Sequence, residues 1–256
     1  MDLQLTNKRA IVLGGTRGIG RAVADCLAGE GAHVAVCARN ADQVSETVAA
    51  LKATGVNAFG GAVDIADGAQ LRDWIDRTGR AMGGIDILVS NAGAMAIGAN
   101  VEDWEKNFRT DVLGAVNAFQ SAKPFLEQAA DANGDAACIF VSSVSAAETD
   151  NSSSYGPIKA ALVHLAKGLA RQYAAKRIRT NVVSPGTVYF EGGVWQTVEQ
   201  NNPDYFRQAL ARNPSGRMAT PQEVATAVVF LASPVSAFTT GVNLLVDGAI
   251  SRRVNF

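Results

Sequence analysis

The chain is poor in the residues that build metal sites and disulfide frameworks. It has three cysteines and two histidines in 256 residues. Cys26, Cys37 and Cys138 are odd in number and lie in apolar segments. They read as buried thiols, which suits a reducing cytoplasm. His33 and His164 stand far apart and in no C-x-x-C or H-x-x-x-H setting, so no catalytic metal is expected. Neither sign of charge dominates: 23 Lys and Arg oppose 24 Asp and Glu, for a net charge of −1. Nucleic acid and acidic membrane surfaces therefore have no electrostatic support as partners. No apolar run approaches the roughly 20 residues that span a bilayer. Met1-Asp2-Leu3-Gln4 lacks the basic and apolar regions of a secretion signal. No low-complexity tract, short repeat or composition shift marks a domain boundary.

What the chain has is glycine, and the glycines are placed. Ile11–Gly20 reads I-V-L-G-G-T-R-G-I-G. Ile11, Val12 and Leu13 look like the end of a buried strand, and Arg21–Gly29 carries Ala22, Val23 and Leu27 at helical spacing. Strand, glycine turn and helix form the context in which such a motif binds a dinucleotide. A pyrophosphate must approach the backbone closely, so side chains must be absent. The open N–H groups and positive dipole end of the next helix then receive its charge.

The rest of the chain alternates in the same way. Strands are expected at Arg9–Gly14, His33–Ala38, Asn57–Val63, Ile85–Ser90, Ala136–Ser142, Arg179–Ser184 and Asn243–Val246. Helices are expected at Gly18–Gly29, Ala41–Thr54, Ala69–Met82, Val101–Ala130 with a break, Ser154–Lys176, Val198–Arg212 and Pro221–Ala232. Short strands apolar on both faces belong to a sheet covered on both sides. Repeated β–α units imply right-handed crossovers, and so an α/β fold with one doubly wound parallel sheet of about seven strands.

The second strand bears on cofactor choice. In a dinucleotide fold its end meets the adenosine ribose, where a carboxylate selects NAD and an arginine accommodates the 2′-phosphate of NADP. This strand ends V-A-V-C-A-R-N, with Arg39 and no carboxylate, and Arg17 lies inside the glycine turn. A guanidinium fork matches phosphate oxygens, so the two arginines together favour NADP. Asp64, after the third strand, could accept from the adenine amino group or cap the next helix.

These motifs, with those that follow them, resemble the short-chain dehydrogenase/reductase family over nearly the whole chain. The family's T-G-x-x-x-G-x-G aligns with Leu13-Gly14 and Gly18-Ile19-Gly20, and its N-A-G with Asn91-Ala92-Gly93. Its serine aligns with Ser142, thirteen residues before Tyr155, and its Y-x-x-x-K with Tyr155 and Lys159. Its P-G aligns with Pro185-Gly186, and its tail with Gly216-Arg217, Pro221–Ala225, Phe230–Ser233, Thr240-Gly241 and Val246-Asp247-Gly248. The resemblance is closest in kind to the 3-oxoacyl-carrier-protein-reductase-like branch. It implies a Rossmann fold over residues 1–256, with a substrate lid at 187–217. It implies a cofactor cradle of Gly14, Thr16, Arg17, Gly18, Ile19, Gly20, Arg39, Asp64, Asn91, Ala92, Gly93, Tyr155, Lys159, Pro185, Gly186, Thr187 and Val188, filled by NADP(H). Catalysis would fall to Ser142, Tyr155 and Lys159, with Asp111 as a fourth member.

The residue types suit that chemistry. Hydride arriving at a carbonyl carbon puts negative charge on its oxygen, which needs a proton donor and a hydrogen-bond partner. A tyrosine is a weak acid near pKa 10, and moving one by ~3 units takes about 4 kcal/mol of differential interaction. A nearby ammonium favours the phenolate. Tyr155 and Lys159 are i and i+4, on one helix face. Pro157 lacks an N–H, so the helix must begin within Ser153–Gly156 and Tyr155 lies in its first turn. The resemblance gives Ser142 a hydrogen bond to the substrate oxygen and Lys159 a hold on the nicotinamide ribose.

Three positions depart from the family. Leu13 replaces a threonine that bonds the turn to the fourth-strand loop. Phe190 stands where many members have a threonine that touches the carboxamide, with Thr187 nearby as a substitute. Asp111, seven residues after Trp104, replaces the asparagine that in the family holds a water between lysine and solvent. An ionised aspartate accepts but cannot donate, so it either holds the relay's cation more tightly or only shapes the helix break.

The lid carries Tyr189, Phe190, Trp195, Tyr205 and Phe206, with no Lys or Arg between Thr187 and Asp204. These rings either wall an apolar pocket or pack the lid down. The helices holding Val112–Phe119 and Ala160–Ala170 are apolar on more than one face, which predicts burial against a second subunit. Asn243–Phe256, with Leu244, Leu245, Val246, Ile250 and Phe256, could form a second interface. A homotetramer or homodimer is expected. The expected activity is NADPH-dependent reduction of a small-molecule carbonyl, such as a 3-oxoacyl group or another apolar ketone, or the reverse oxidation of an alcohol, in the cytoplasm. The alternatives are an NAD-dependent dehydrogenase of a polyol or ring diol, and a non-catalytic NADP-binding regulator.

Overall fold

Each β-branched or apolar run pairs into one sheet. The computed structural model describes residues 1–149 and 152–254. The strands are β1 (Arg9–Leu13), β2 (His33–Ala38), β3 (Ala58–Ala62), β4 (Ile87–Ser90), β5 (Ala136–Val141), β6 (Ile178–Pro185) and β7 (Asn243–Val246). They lie in the order β3-β2-β1-β4-β5-β6-β7. Every neighbouring pair is parallel. The order reverses between β1 and β4, and at such a switch point the connections leave in opposite directions and open a crevice beyond the strand ends.

The helices are α1 (Gly18–Gly29), α2 (Ala41–Ala53), α3 (Gly68–Ala81), α4 (Val101–Asn107), α5 (Gly114–Asn133), α6 (Tyr155–Tyr173), α7 (Val194–Asn201), α8 (Pro203–Ala211) and α9 (Pro221–Ala232). Strand alternation divides the core. Ile11 and Leu13 of β1 pack with Trp74 of α3, Phe119 of α5 and Leu162 of α6. Ala10 and Val12 pack on the other face with Val23 and Leu27 of α1 and Val228 of α9. Fully burying a side chain of the size of Leu27 stabilises by about 1.5–3 kcal/mol.

Most expected boundaries lie within one or two residues of the observed ones. Two expectations need correction. The helix expected at Val198–Arg212 is two helices, α7 and α8. Pro203 takes the first position of α8, and the Asn202 side chain caps it by accepting from Tyr205 N. Proline cannot continue a preceding helix, because it lacks the N–H and crowds the residue before it. The break expected inside Val101–Ala130 is a π-helical turn, Phe108–Leu113, between α4 and α5. Such turns insert a residue and re-aim the side chains around them. Phe256, expected at an interface, lies outside the described residues. Among the described residues, no helix is long and apolar enough to cross a membrane.

Candidate active site

The glycine turn leaves no room for side chains where it must be tight. Gly14 and Gly18 have φ of 70° and 53°. A Cβ on Gly20 would lie 2.0 Å from the Gly14 carbonyl oxygen and 2.4 Å from Asn91 Nδ2. That amide donates to Gly14 O at 3.1 Å, tying the turn to the loop after β4. Asn91 thus supplies a link between turn and loop where Leu13 cannot. Helix α1 begins at Gly18, after Arg17, with no side-chain cap and no acidic residue in its first turn. Helices α2, α3, α4, α8 and α9 are capped by Asn40, Asp67, Asn100, Asn202 and Thr220, whereas α5, α6 and α7, like α1, have no side-chain cap. The uncapped N–H groups and dipole of α1 fit an anion such as a pyrophosphate. Arg17 and Arg39 are both exposed. Asp64 is exposed and accepts from Ala66 N at 3.0 Å. The cap of α3 is Asp67, so the capping role open to Asp64 is filled elsewhere.

Tyr155 opens α6, one turn before Lys159. Lys159 Nζ is 5.6 Å from the centre of the Tyr155 ring. The ammonium is buried and lies 2.8 Å from Asp111 Oδ1. The other carboxylate oxygen, Oδ2, accepts from Ala94 N at 2.8 Å. Lys159 also donates to Val141 O at 3.4 Å. Burial works to lower the Lys159 pKa, but its electrostatic interactions with Tyr155 and Asp111 and its hydrogen bond to Asp111 outweigh it and leave it raised. Gly93 permits this approach, since a Cβ there would stand 3.0 Å from Asp111 Oδ1.

Of the two serines after β5, Ser142 is buried and donates its hydroxyl to the Lys159 carbonyl at 2.8 Å. Ser143 accepts from Ser145 N at 3.1 Å, an interaction that leaves its own proton to donate. Asn107, which motif reading passes over, is fully buried beside this group. Its only sequence signal is the four-residue spacing from Asp111.

The segment expected to form a lid, residues 187–217, lies partly on the glycine turn. A Cβ on Gly18 would be 2.6 Å from Phe190 Cζ, and Arg17 Nη1 donates to Gly192 O at 3.5 Å. Val188 bridges to Ala219, and Thr187 Oγ1 donates to Asn213 Oδ1 at 3.1 Å. Gly186 follows Pro185 with Asp247 Cα 2.9 Å from where its Cβ would be. The other lid aromatics pack on each other, with Tyr189 to Phe206 at 6.0 Å and Trp195 to Tyr205 at 6.2 Å between ring centres. A surface cavity of about 390 Å³ beneath them is lined by Tyr189, Glu199, Phe206, Leu210, Gly216, Arg217 and Met218. It holds none of Tyr155, Lys159 or Ser142.

A family model described as enoyl-(acyl carrier protein) reductase matches residues 14–251. The chain belongs to the short-chain dehydrogenase/reductase family. Isoepoxydon dehydrogenase patN of Penicillium expansum is 35% identical over 253 residues, covering 96% of this chain and 95% of that one. L-Sorbose reductase from Gluconobacter frateurii, solved with NADPH and L-sorbose, superposes with a TM-score of 0.90 at 29% identity, over 99% of this chain and 100% of that one. A 7α-hydroxysteroid dehydrogenase solved with NADH and 7-oxo glycochenodeoxycholic acid gives 0.89 at 29%, over 99% and 98%. One scaffold thus serves both dinucleotides in short-chain dehydrogenases/reductases, and the choice rests on side chains at the adenosine end.

Proposed function

We propose that this oxidoreductase transfers hydride between NADP(H) and a carbonyl or secondary alcohol, with Tyr155, Lys159 and a serine after β5 as its catalytic set. The observation that carries this reading is the buried Lys159–Asp111 pair set against the Tyr155 ring. A buried ammonium is costly unless paired, and this one is held one helical turn from Tyr155. The uncapped α1 terminus and its glycines would hold the cofactor's pyrophosphate. Arg39 and Arg17 would hold the 2′-phosphate, which favours NADPH over NADH. When bound, the cofactor supplies or accepts the hydride.

In the reductive direction Tyr155 gives its proton to the substrate oxygen as charge develops there. Lys159 stabilises the phenolate left behind, and Asp111 keeps Lys159 charged and in place. A serine hydroxyl donates a second hydrogen bond to the same oxygen. Ser142 is the serine that spacing selects, but its proton is engaged by the Lys159 carbonyl. Ser143 takes that role in our reading, and Ser142 anchors α6 to β5. Oxidation of an alcohol runs the same proton path in reverse.

The apolar rings of the lid support an apolar ketone, including a 3-oxoacyl group, as substrate. Exposed Trp104, Phe108 and Leu113 along α4 and the π turn support a symmetric homodimer or homotetramer. Three free cysteines support a cytoplasmic setting. The test is NADPH oxidation with a panel of ketones, aldehydes, quinones and 3-oxoacyl thioesters. Turnover of a member of the panel is expected. NADPH binding with no turnover of any would overturn the reductase reading in favour of a regulator.

A further inference from the structure

The loop that follows β4 has almost no backbone hydrogen bonds of its own. Residues Ala94 to Gly98 are held instead by side chains of α4, the π turn and α6, at every second residue. Ala94 N donates to Asp111 Oδ2. Ala96 N donates to Asn107 Oδ1 at 3.2 Å, and Asn107 Nδ2 donates back to Ala96 O at 2.7 Å. Gly98 O accepts from both the backbone N and the hydroxyl of Ser154, each at 3.0 Å. The intervening residues, Met95 and Ile97, are exposed. Met95 has φ of 55°. A non-glycine residue stays in that region only where its surroundings over-determine it. Here a side-chain clamp grips the residue on each side.

Asn107 does more than hold the loop. Its Nδ2 also donates to Ser154 Oγ at 2.9 Å. Asn107 and Ser154 are both fully buried, and Ser154 immediately precedes Tyr155. Asn107 and Asp111 hold the same two segments, the loop after β4 and the start of α6, at different residues. Asn107 grips α6 just before Tyr155, and Asp111 grips it at Lys159, one turn beyond. Three of the four hydrogen bonds an asparagine can make are thereby used, across three separate elements.

We propose that Asn107 is a positioning residue of the site: through Ser154 it sets Tyr155, and through Ala96 it holds Met95 and Ile97 as a rigid wall beside the substrate. This inference rests on the reductase reading above. It makes the effect of Asn107 specific, since none of the hydrogen bonds given above for Asn107, Ser154, Ala94 and Ala96 reaches the glycine turn or Arg39. Displacing a catalytic group by about 1 Å can cost on the order of a hundredfold in rate.

The experiment compares wild type, Asn107→Leu, Ser154→Ala and the double variant, with turnover expressed per NADPH-binding site counted by fluorescence titration. Asn107→Leu is expected to lower kcat about tenfold or more and to raise KM for the carbonyl about threefold, with the NADPH Kd within about twofold of wild type. Ser154→Ala is expected to lower kcat by about threefold, and the double variant to be no worse than Asn107→Leu alone, because both act through one network. A folded Asn107→Leu protein with wild-type kcat and KM would overturn the inference, as would additive losses in the double variant. If Asn107→Leu does not fold, Ser154→Ala alone decides, and wild-type kcat in that variant overturns it. A wild type that reduces no carbonyl removes the reductase reading and this inference together. An active wild type matched by its variants removes this inference only.

Discussion

Asp111 Oδ1 lies 2.8 Å from Lys159 Nζ, and neither side chain is exposed to solvent. Lys159 therefore meets a carboxylate where the family's asparagine would present an amide. By size and shape Asn is a near equivalent of Asp at 111. By hydrogen bonding it is not, because one carboxylate oxygen accepts from Ala94 N and the other faces the ammonium. An amide has one oxygen for these two donors, so its NH₂ must oppose one of them.

The first prediction follows from that conflict. Asp111 raises the Lys159 pKa against burial. Asp111→Asn should therefore let it fall, and the alkaline limb of the kcat–pH profile should move to lower pH. The sign for stability is the same: a raised lysine contributes fully below its ordinary value of 10.5, and that contribution is lost as pH rises through the folded value. Asp111→Ala, which leaves the ammonium buried and unpaired, should cost about 3–5 kcal/mol in chemical denaturation at neutral pH. An unmoved kcat–pH profile in a folded Asp111→Asn protein would contradict this account.

The second prediction concerns the proton donor. Tyr155→Phe removes one hydroxyl and leaves the glycine turn untouched. NADPH affinity by fluorescence should stay within about threefold, while turnover falls about 10²–10⁴-fold. Near-normal rates would show that another group donates the proton.

The third separates the two serines. Ser143→Ala should lower kcat by about 10²-fold, on the scale of a lost oxyanion donor. Ser142→Ala should cost about 1 kcal/mol of stability, the net worth of one hydrogen bond, and leave kcat within about threefold. Thermal melts and initial rates on both variants suffice, and the opposite ranking would return the substrate-facing role to Ser142.

The fourth tests cofactor choice. Arg39→Asp places a carboxylate where a 2′-phosphate would lie. NADPH should bind about tenfold or more weakly, and NADH should become the preferred cofactor. Equal affinity of the unaltered protein for NADPH and NADH falsifies the role given to Arg39.

The fifth tests assembly. Helix α6 buries Leu162, Ala166 and Leu169 inside the subunit, while Ala160, Ala161, Val163 and Leu165 stay only half-buried. Trp104, Phe108 and Leu113 add exposed apolar surface along α4 and the π turn. Light scattering at micromolar concentration should report two or four chains. A mass of one chain would refute the two-face argument.

Much of this protein was legible in its residues. The fold was legible because a parallel sheet buried on both faces demands short apolar strands alternating with amphipathic helices, and that pattern is local. The start of α6 was legible from Pro157, and the glycine turn from the absence of side chains at Gly14, Gly18 and Gly20, since both are backbone constraints carried by single residues. Asp111 could be located by its spacing from Trp104, but its partner could not be decided. Only the tertiary structure decided that, because the π turn at Phe108–Leu113 alters the direction of every side chain near it, and no periodicity announces such a turn. The same holds for Asn107, whose three hydrogen bonds go to Ala96 in the β4 loop and to Ser154 just before α6, and for Ser142, whose proton goes to a carbonyl seventeen residues away. Residue types name the chemistry that is available; which donor meets which acceptor is settled by packing between elements far apart in the chain.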